Sequence, residues 1–367
     1  MVSRRYRIQD VEPGMVLAKP AIDHRKRVVL AEGTVLTEKL IDRLENWNIF
    51  VVDIFGDEGN PLPEEPVLPT AAFAQPSEEK LKLQERFYSA YQDVVLDVQT
   101  AFEQIRYLKV VPLMKVRELA NTSIAELSHA PGAINLLYML QGMDNLTARH
   151  SLNVAIIAGV LGRWLGFSAK LLQDLILAAL LHDVGKTQLA EELLYKKAAQ
   201  LTAPETELMR KHTIEGYQLL KRAAYQLPFH ILAGVLQHHE GVDGSGYPLQ
   251  LTGKKIHLFA RIIAVADRYE IMTNKNRDEN HLTPFAAVES LVREAFEKLD
   301  AAVASVFLTN IRDQFIGNFV RLSDGREAVV VYLGRFISQR PVVQTSDGQF
   351  IDLEKKRDLH ITEVIGV

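Results

Sequence analysis

The stretch LLHDVGK, residues 180–186, closes a segment from Asp174 to Val184 that is apolar on nearly every side and yet ends in a histidine beside an aspartate. A helix without a polar face belongs in the middle of a helical core. Burying His182 and Asp183 there without partners would be costly, and a divalent cation is the most direct remedy. Further along, the segment Ala260–Ala266, polar only at Arg261, delivers Asp267 from a second helix of the same kind. Histidines of similar setting recur through the region: His150 in TARHSLNVA, His212 in RKHTIEGY, and the adjacent His238 and His239 in LQHHEGVDGSGYP.

These positions follow one another at roughly 26 to 32 residues, about one helix plus its connection, so that successive helices of a bundle could each offer one ligand or one adjacent pair at the same level. Five imidazoles and two carboxylates exceed what one tetrahedral zinc takes. They suit two metal ions, with Asp183 able to bridge through its two oxygens. Taken singly the pieces are ordinary. A lone histidine is usually hydrogen-bonded structure, DGSGYP is a tight turn, and Lys186 is a solvated lysine beside the negative end of a helix dipole. Their co-occurrence in this order carries the metal reading. His24, His129, His230, His257, His281 and His360 lack such a setting and are expected to be structural.

Composition narrows the remaining choices. The 367 residues include no cysteine, which excludes a disulfide framework, a thiolate metal site and a cysteine nucleophile, and fits a reducing, cytoplasmic location. The opening MVSRRYRIQD leads into no apolar run, so neither a leader nor an anchor is expected. Val154–Gly162 and Leu175–Leu181, the longest apolar stretches, fall short of the roughly 20 residues that cross a bilayer. A net charge of −4 and a pI near 6.3 argue against a duplex nucleic-acid surface, which needs a basic face.

Outside the histidine region the patterning changes twice. Residues 1–56 read as a small α/β unit, with a strand at Val28–Leu30, a helix capped by Thr37 that presents Leu40, Ile41, Leu44 and Trp47, and a strand at Ile49–Ile54. The proline-rich, acidic stretch 57–76 reads as a linker. Residues 77–130 predict connecting helices, the first capped by Ser77. Its Leu81, Tyr88, Tyr91, Val95, Val98 and Phe102 fit a heptad frame. That stripe suits a homodimeric coiled coil through residues 77–104 and equally suits packing on the following domain, because only about three heptads are present. A helical catalytic domain is expected over 131–304, with breaks near Pro131-Gly132, Gly185, Pro228 and 241–246. Over 305–367, β-branched alternation around Ser323-Asp324-Gly325 and Ser346-Asp347-Gly348 predicts a small β-rich domain. The fold class is therefore mainly α: a helical bundle, a small α/β unit before it, a connecting helix and a small β domain after it.

The motifs RHS at 149–151, LLHDVGK at 180–186, LT and E within LTAPE at 201–205, H and G within HTIEG at 212–216, HHE with DGSGYP at 238–248 and ARIIAVAD at 260–267 together resemble the HD-GYP family. This is a bacterial branch of the HD phosphohydrolases. The resemblance covers about residues 140–300 and implies an HD-type bundle. It implies a phosphodiesterase that opens cyclic di-GMP to the linear dinucleotide pGpG and then GMP, with a hydroxide activated by two metal ions, iron or manganese. It also implies that His150, His182, Asp183 and Asp267 hold one ion while Asp183, His212, His238 and His239 hold the other. Lys186 would contact the scissile phosphate or the attacking water, with Glu240 and Asp243 steadying ligands from behind. Tyr247 belongs to the signature loop, which would shape the substrate mouth or dock a signalling protein.

Several positions depart from the family pattern. Leu146 stands where some members place a glutamate for a third metal, so two are expected. Glu270 replaces an aspartate, Asn276 an arginine and Glu279 a cation, which should weaken phosphate binding unless Lys275 or Arg277 substitutes. Gly241-Val242 replaces an arginine and an aromatic residue. Beside an active phosphodiesterase stand two other readings: a catalytically weak cyclic-dinucleotide receptor or signalling adaptor, and a hydrolase of a different cyclic dinucleotide.

Overall fold

The computed structural model describes residues 2–8, 11–22, 28–38, 40–41, 44, 49, 51–56, 78–140, 146–194, 196, 200–223, 227–274, 281–295, 297–333 and 340–366. The chain divides into two compact units, Met1–Leu68 and Pro69–Val367.

In the first unit β1 (Val2–Arg7) pairs antiparallel with β4 (Val51–Gly56), and β2 (Ala21–Ile22) pairs with β3 (Val28–Leu30). Leu17, Leu36, Leu44 and Ile54, all fully buried, form its small core. Glu38, Leu40, Ile41 and Leu44 are helical, while Trp47 and the whole stretch 57–76 lie outside the described residues.

The second unit opens with α1 (Glu78–Leu108), a 31-residue helix. Short helices follow: α2 (Leu113–Asn121), α3 (Ser123–His129) and α4 (Ala133–Met139). The turn before α4 needs the left-handed backbone that Gly132 adopts, at φ 68°. Five helices then carry the histidines or frame them: α5 (Leu146–Trp164), α6 (Ala169–Leu181), α8 (Ala203–Arg210), α9 (His212–Ala223) and α10 (Phe229–Gln237), with the single turn α7 (Glu191–Leu194) between α6 and α8. The bundle closes with α11 (Leu258–Thr273), α12 (Pro284–Ala295) and α13 (Ala301–Asp313). Every residue of α6 from Leu175 to Leu181 is buried, as its all-round apolar sequence requires. Residues 184–188 form a short 3-10 helix at its end.

The heptad stripe of α1 settles on its own chain. Tyr91, Val95, Val98 and Phe102 lie in the helical core, whereas Leu81 and Tyr88 are exposed at the helix start. Of the two alternatives read from the heptad stripe, these four positions follow the second, packing on the following helices of the same chain.

The C-terminal strands β5 (Phe319–Leu322), β6 (Glu327–Tyr332), β7 (Val342–Thr345), β8 (Phe350–Asp352) and β9 (Ile361–Gly366) form one antiparallel sheet in the order β8-β7-β6-β5-β9. Gly325 and Gly348 supply positive φ at the two anticipated turns. The sheet's apolar face packs around Tyr138 of α4 and Phe285 of α12. The boundary expected at 304/305 cuts through α13, whose Val303, Phe307 and Ile311 belong to the helical core, so the strands begin only at Phe319. Among the described residues no helix is long and apolar enough to cross a membrane.

Candidate metal centre

The ends of helices decide where the ligands stand. A helix leaves its last carbonyls without intrahelical donors. His182 directly follows α6, and its Nδ1 lies 2.7 Å from the Ala179 carbonyl. His238 follows α10 and approaches the Val235 carbonyl at 2.8 Å; His212 follows α8 and approaches the Met209 carbonyl at 2.6 Å. A carbonyl only accepts, so each Nδ1 carries the proton, and Nε2 is left as the inward nitrogen whose lone pair a neutral ring would offer. This is the tautomer that binds a metal.

The inward atoms converge. Asp183 Oδ1 lies 3.2 Å from His212 Nε2 and 3.8 Å from His238 Nε2. Its other oxygen, Oδ2, lies 3.3 Å from His150 Nε2 and 3.4 Å from His182 Nε2. Asp267 Oδ1 faces His150 Nε2 at 3.2 Å and His182 Nε2 at 4.0 Å. Two ligand groups result, Asp183 with His212, His238 and His239, and His150 with His182 and Asp183, each with its donor atoms within 4.8 Å of one another. Asp183 belongs to both and shows a different oxygen to each.

Two features fit this donor set to cations. His182 Nε2 and Asp183 Oδ1 are buried and have no hydrogen-bond partner among the described residues, a cost that a native core does not ordinarily carry. In addition, His212 Nε2 and His238 Nε2 face each other at 3.3 Å, and with both Nδ1 atoms protonated these are two lone pairs. A positive ion between them turns repulsion into coordination.

The charge states agree. Burial disfavours the Asp183 carboxylate, yet Lys186, His182 and His150 hold its pKa well below the usual carboxylate range. Burial, reinforced by His239, His182 and His212, pushes His238 well below an ordinary imidazole, and His239 is lowered to about 3, again chiefly by burial. Both are therefore neutral and ligand-competent near pH 7. For His150 burial works downward, but Glu270, Asp183 and Asp267 outweigh it and raise its pKa.

The other anticipated residues are placed as follows. Partly buried Lys186 donates from Nζ to Asp183 Oδ2. The Tyr247 ring packs on His239 with centroids 4.8 Å apart, and the Arg210 guanidinium lies over the Tyr247 ring, 5.3 Å from its centroid. Glu240 and Asp243 bond the backbone and side chains of the signature loop. Glu240 accepts the backbone N–H groups of Leu249 and Leu251, and Asp243 accepts the N–H and hydroxyl of Ser245. These bonds run within the loop that follows His239 rather than to a ligand histidine. Lys275, Asn276, Arg277 and Glu279 lie outside the described residues, as does the side chain of Leu146. Of the remaining histidines, His257 caps α11 by accepting the Phe259 N–H, and His230 pairs with Asp174 at 3.0 Å.

Glu270, marked in the sequence only as a replacement for aspartate, stands directly behind His150. Its Oε2 accepts from His150 Nδ1 at 2.6 Å, while Oε1 accepts from Asn153 at 3.1 Å and Asn274 at 2.7 Å. A signal was present: Glu270 follows Asp267 by three residues and Asn153 follows His150 by three, the spacing that puts each pair on one helix face.

The HD domain family profile matches residues 134–303. A cyclic di-GMP phosphodiesterase of Pseudomonas aeruginosa is 30% identical over 302 residues, covering 79% of this chain and 72% of that protein. A 3'3'-cGAMP-specific phosphodiesterase of Vibrio cholerae is 29% identical over 50% of this chain and 42% of its own length, so the chain spans less than half of that relative. Among solved structures, an HDG"Y"P protein from Bdellovibrio bacteriovorus superposes with a TM-score of 0.51 at 17% identity, over 85% of this chain and all of that one, a likeness of fold. With its motif order, its helical bundle and this extent of sequence identity, the chain belongs to the HD-GYP family of HD-domain hydrolases.

Proposed function

We infer that the protein hydrolyses a cyclic dinucleotide, cyclic di-GMP to pGpG and then GMP, at a centre of two divalent metals. The observation that carries this reading is Asp183, whose two oxygens face two separate ligand groups. His150, His182, Asp183 and Asp267 would hold one ion, and Asp183, His212, His238 and His239 the other. Imidazole with carboxylate suits iron or manganese among several metals. Bound there, two divalent cations supply Lewis acidity, making water a nucleophile at neutral pH and offsetting charge on the phosphoryl oxygens.

The chain's own residues set the remaining conditions. Asp183 stays ionised and spans the site, while the carbonyls behind His182, His212 and His238 hold three rings in the ligating tautomer. Lys186, beside Asp183 at the edge of the buried cluster, is positioned to meet a substrate phosphate. Tyr247, stacked on His239, forms part of the same wall.

Turnover of purified, iron- or manganese-loaded protein on a panel of cyclic di-GMP and cyclic GMP-AMP tests the reading. Appearance of linear dinucleotide and mononucleotide from cyclic di-GMP is the expected result, and preference for the mixed dinucleotide would change the substrate. Binding without product over long incubation would instead make the protein a receptor.

A further inference from the structure

Helix α1 lies outside the ligand-bearing motifs, but two of its side chains bond residues that support the centre. Tyr91, buried against α5, donates its hydroxyl proton to Asn153 Oδ1 at 2.7 Å. Asn153 then donates from Nδ2 to Glu270 Oε1 at 3.1 Å, and Glu270 Oε2 accepts from His150 Nδ1 at 2.6 Å. The direction of this chain is fixed. Because the tyrosine hydroxyl occupies the asparagine oxygen, the amide N–H group must point at Glu270, and the carboxylate is left to orient His150. Four turns further along α1, Arg106 donates from Nη1 to the Leu189 carbonyl at 2.9 Å and from Nη2 to the Lys186 carbonyl at 3.2 Å. Its guanidinium fork thus pins both ends of the short segment whose lysine pairs with Asp183.

We propose that Tyr91 and Arg106 are positioning residues of the metal centre, Tyr91 orienting His150 through Asn153 and Glu270 and Arg106 fixing the backbone of Lys186. The proposal rests on the two-metal reading above. Groups that orient a ligating histidine from behind typically change metal affinity or activity by 10–100-fold when lost. The two contacts act on different functions: Tyr91 bears on the ion at His150, whereas Arg106 bears on Lys186 and leaves every ligand in place.

The test uses full-length manganese-loaded protein. Metal content is measured by elemental analysis after dialysis against graded chelator, turnover of cyclic di-GMP is followed in parallel, and thermal midpoints are recorded for metal-free samples. Tyr91→Phe keeps the buried ring and removes only the hydroxyl. The expected result is that one of two metal equivalents is lost at roughly tenfold lower chelator than in the wild type, with the second retained. Arg106→Gln is expected to keep both equivalents while kcat falls about tenfold and KM changes less than about twofold. Wild-type retention and kinetics in both variants would overturn the proposal, as would simultaneous loss of both metals from Tyr91→Phe with a lowered metal-free midpoint, which marks a general packing role. If the wild type itself binds no metal, the functional reading fails and takes this inference with it.

Discussion

At the residue scale the centre is set by what each side chain can donate or accept. Asp183 shares its oxygens between two histidine groups, so Asp183→Ala is expected to abolish retention of both metals, where loss of a single-site ligand removes one. Elemental analysis of the purified variant checks this, and unchanged metal content would contradict the bridge. Glu270→Gln keeps the shape but weakens the acceptor behind His150, and retention of one metal should drop by roughly 10–100-fold. A pH dependence follows from His150. In the metal-free protein its nearby carboxylates keep it protonated above the ordinary imidazole range, and that proton sits where a metal would bind. Metal uptake must displace it, so affinity should rise as pH increases through 7 and titration in buffers of different ionisation enthalpy should show proton release. For folding the sign is opposite: the raised pKa stabilises the metal-free chain below about pH 6.5 and that contribution fades as pH rises through the folded value. The seven candidate ligands were legible because chemistry and spacing coincide in them. Glu270 was legible only in part: its spacing from Asp267 puts it on the same helix face, but a replacement of one acid by another does not say which nitrogen its carboxylate will reach.

Elements bring those residues together, and close approach of backbones limits what they tolerate. At Gly185 an added Cβ would fall 1.8 Å from the His212 carbonyl oxygen and 2.6 Å from the Gly216 nitrogen. Only glycine lets the segment carrying Lys186 lie against α9. Gly185→Ala is expected to cost at least about 2 kcal/mol of stability and most of the activity, read by thermal denaturation and turnover. The sequence marked Gly185 as a helix break but could not show this contact, which joins segments some thirty residues apart. Likewise the heptad stripe of α1 was visible while its partner was not, because the same apolar spacing serves a second copy of the helix or the rest of its own chain. Val98 is buried in the core of its own chain. Val98→Ala should lower the unfolding midpoint by an amount equivalent to about 2 kcal/mol, independent of protein concentration. A concentration-dependent effect would restore the dimer seam.

For the whole molecule, periodicity was enough to distinguish the helical bundle from the strand-rich ends. Its boundaries were less clear, because α13 is amphipathic and its assignment to the bundle depends on where Phe307 and Ile311 pack. The C-terminal sheet has the two glycine turns its sequence announces, yet its apolar face is completed by Tyr138 and Phe285 from the helices, a dependence no local pattern encodes. The helical part thus supports both the sheet and the ligand cluster.

The seven gathered side chains are proposed to hold two ions on either side of Asp183. Anomalous diffraction from crystals grown with manganese measures this directly. Two peaks are expected, one among His150, His182, Asp183 and Asp267 and the other among Asp183, His212, His238 and His239. A single peak, or density away from Asp183 at full metal loading, would contradict it.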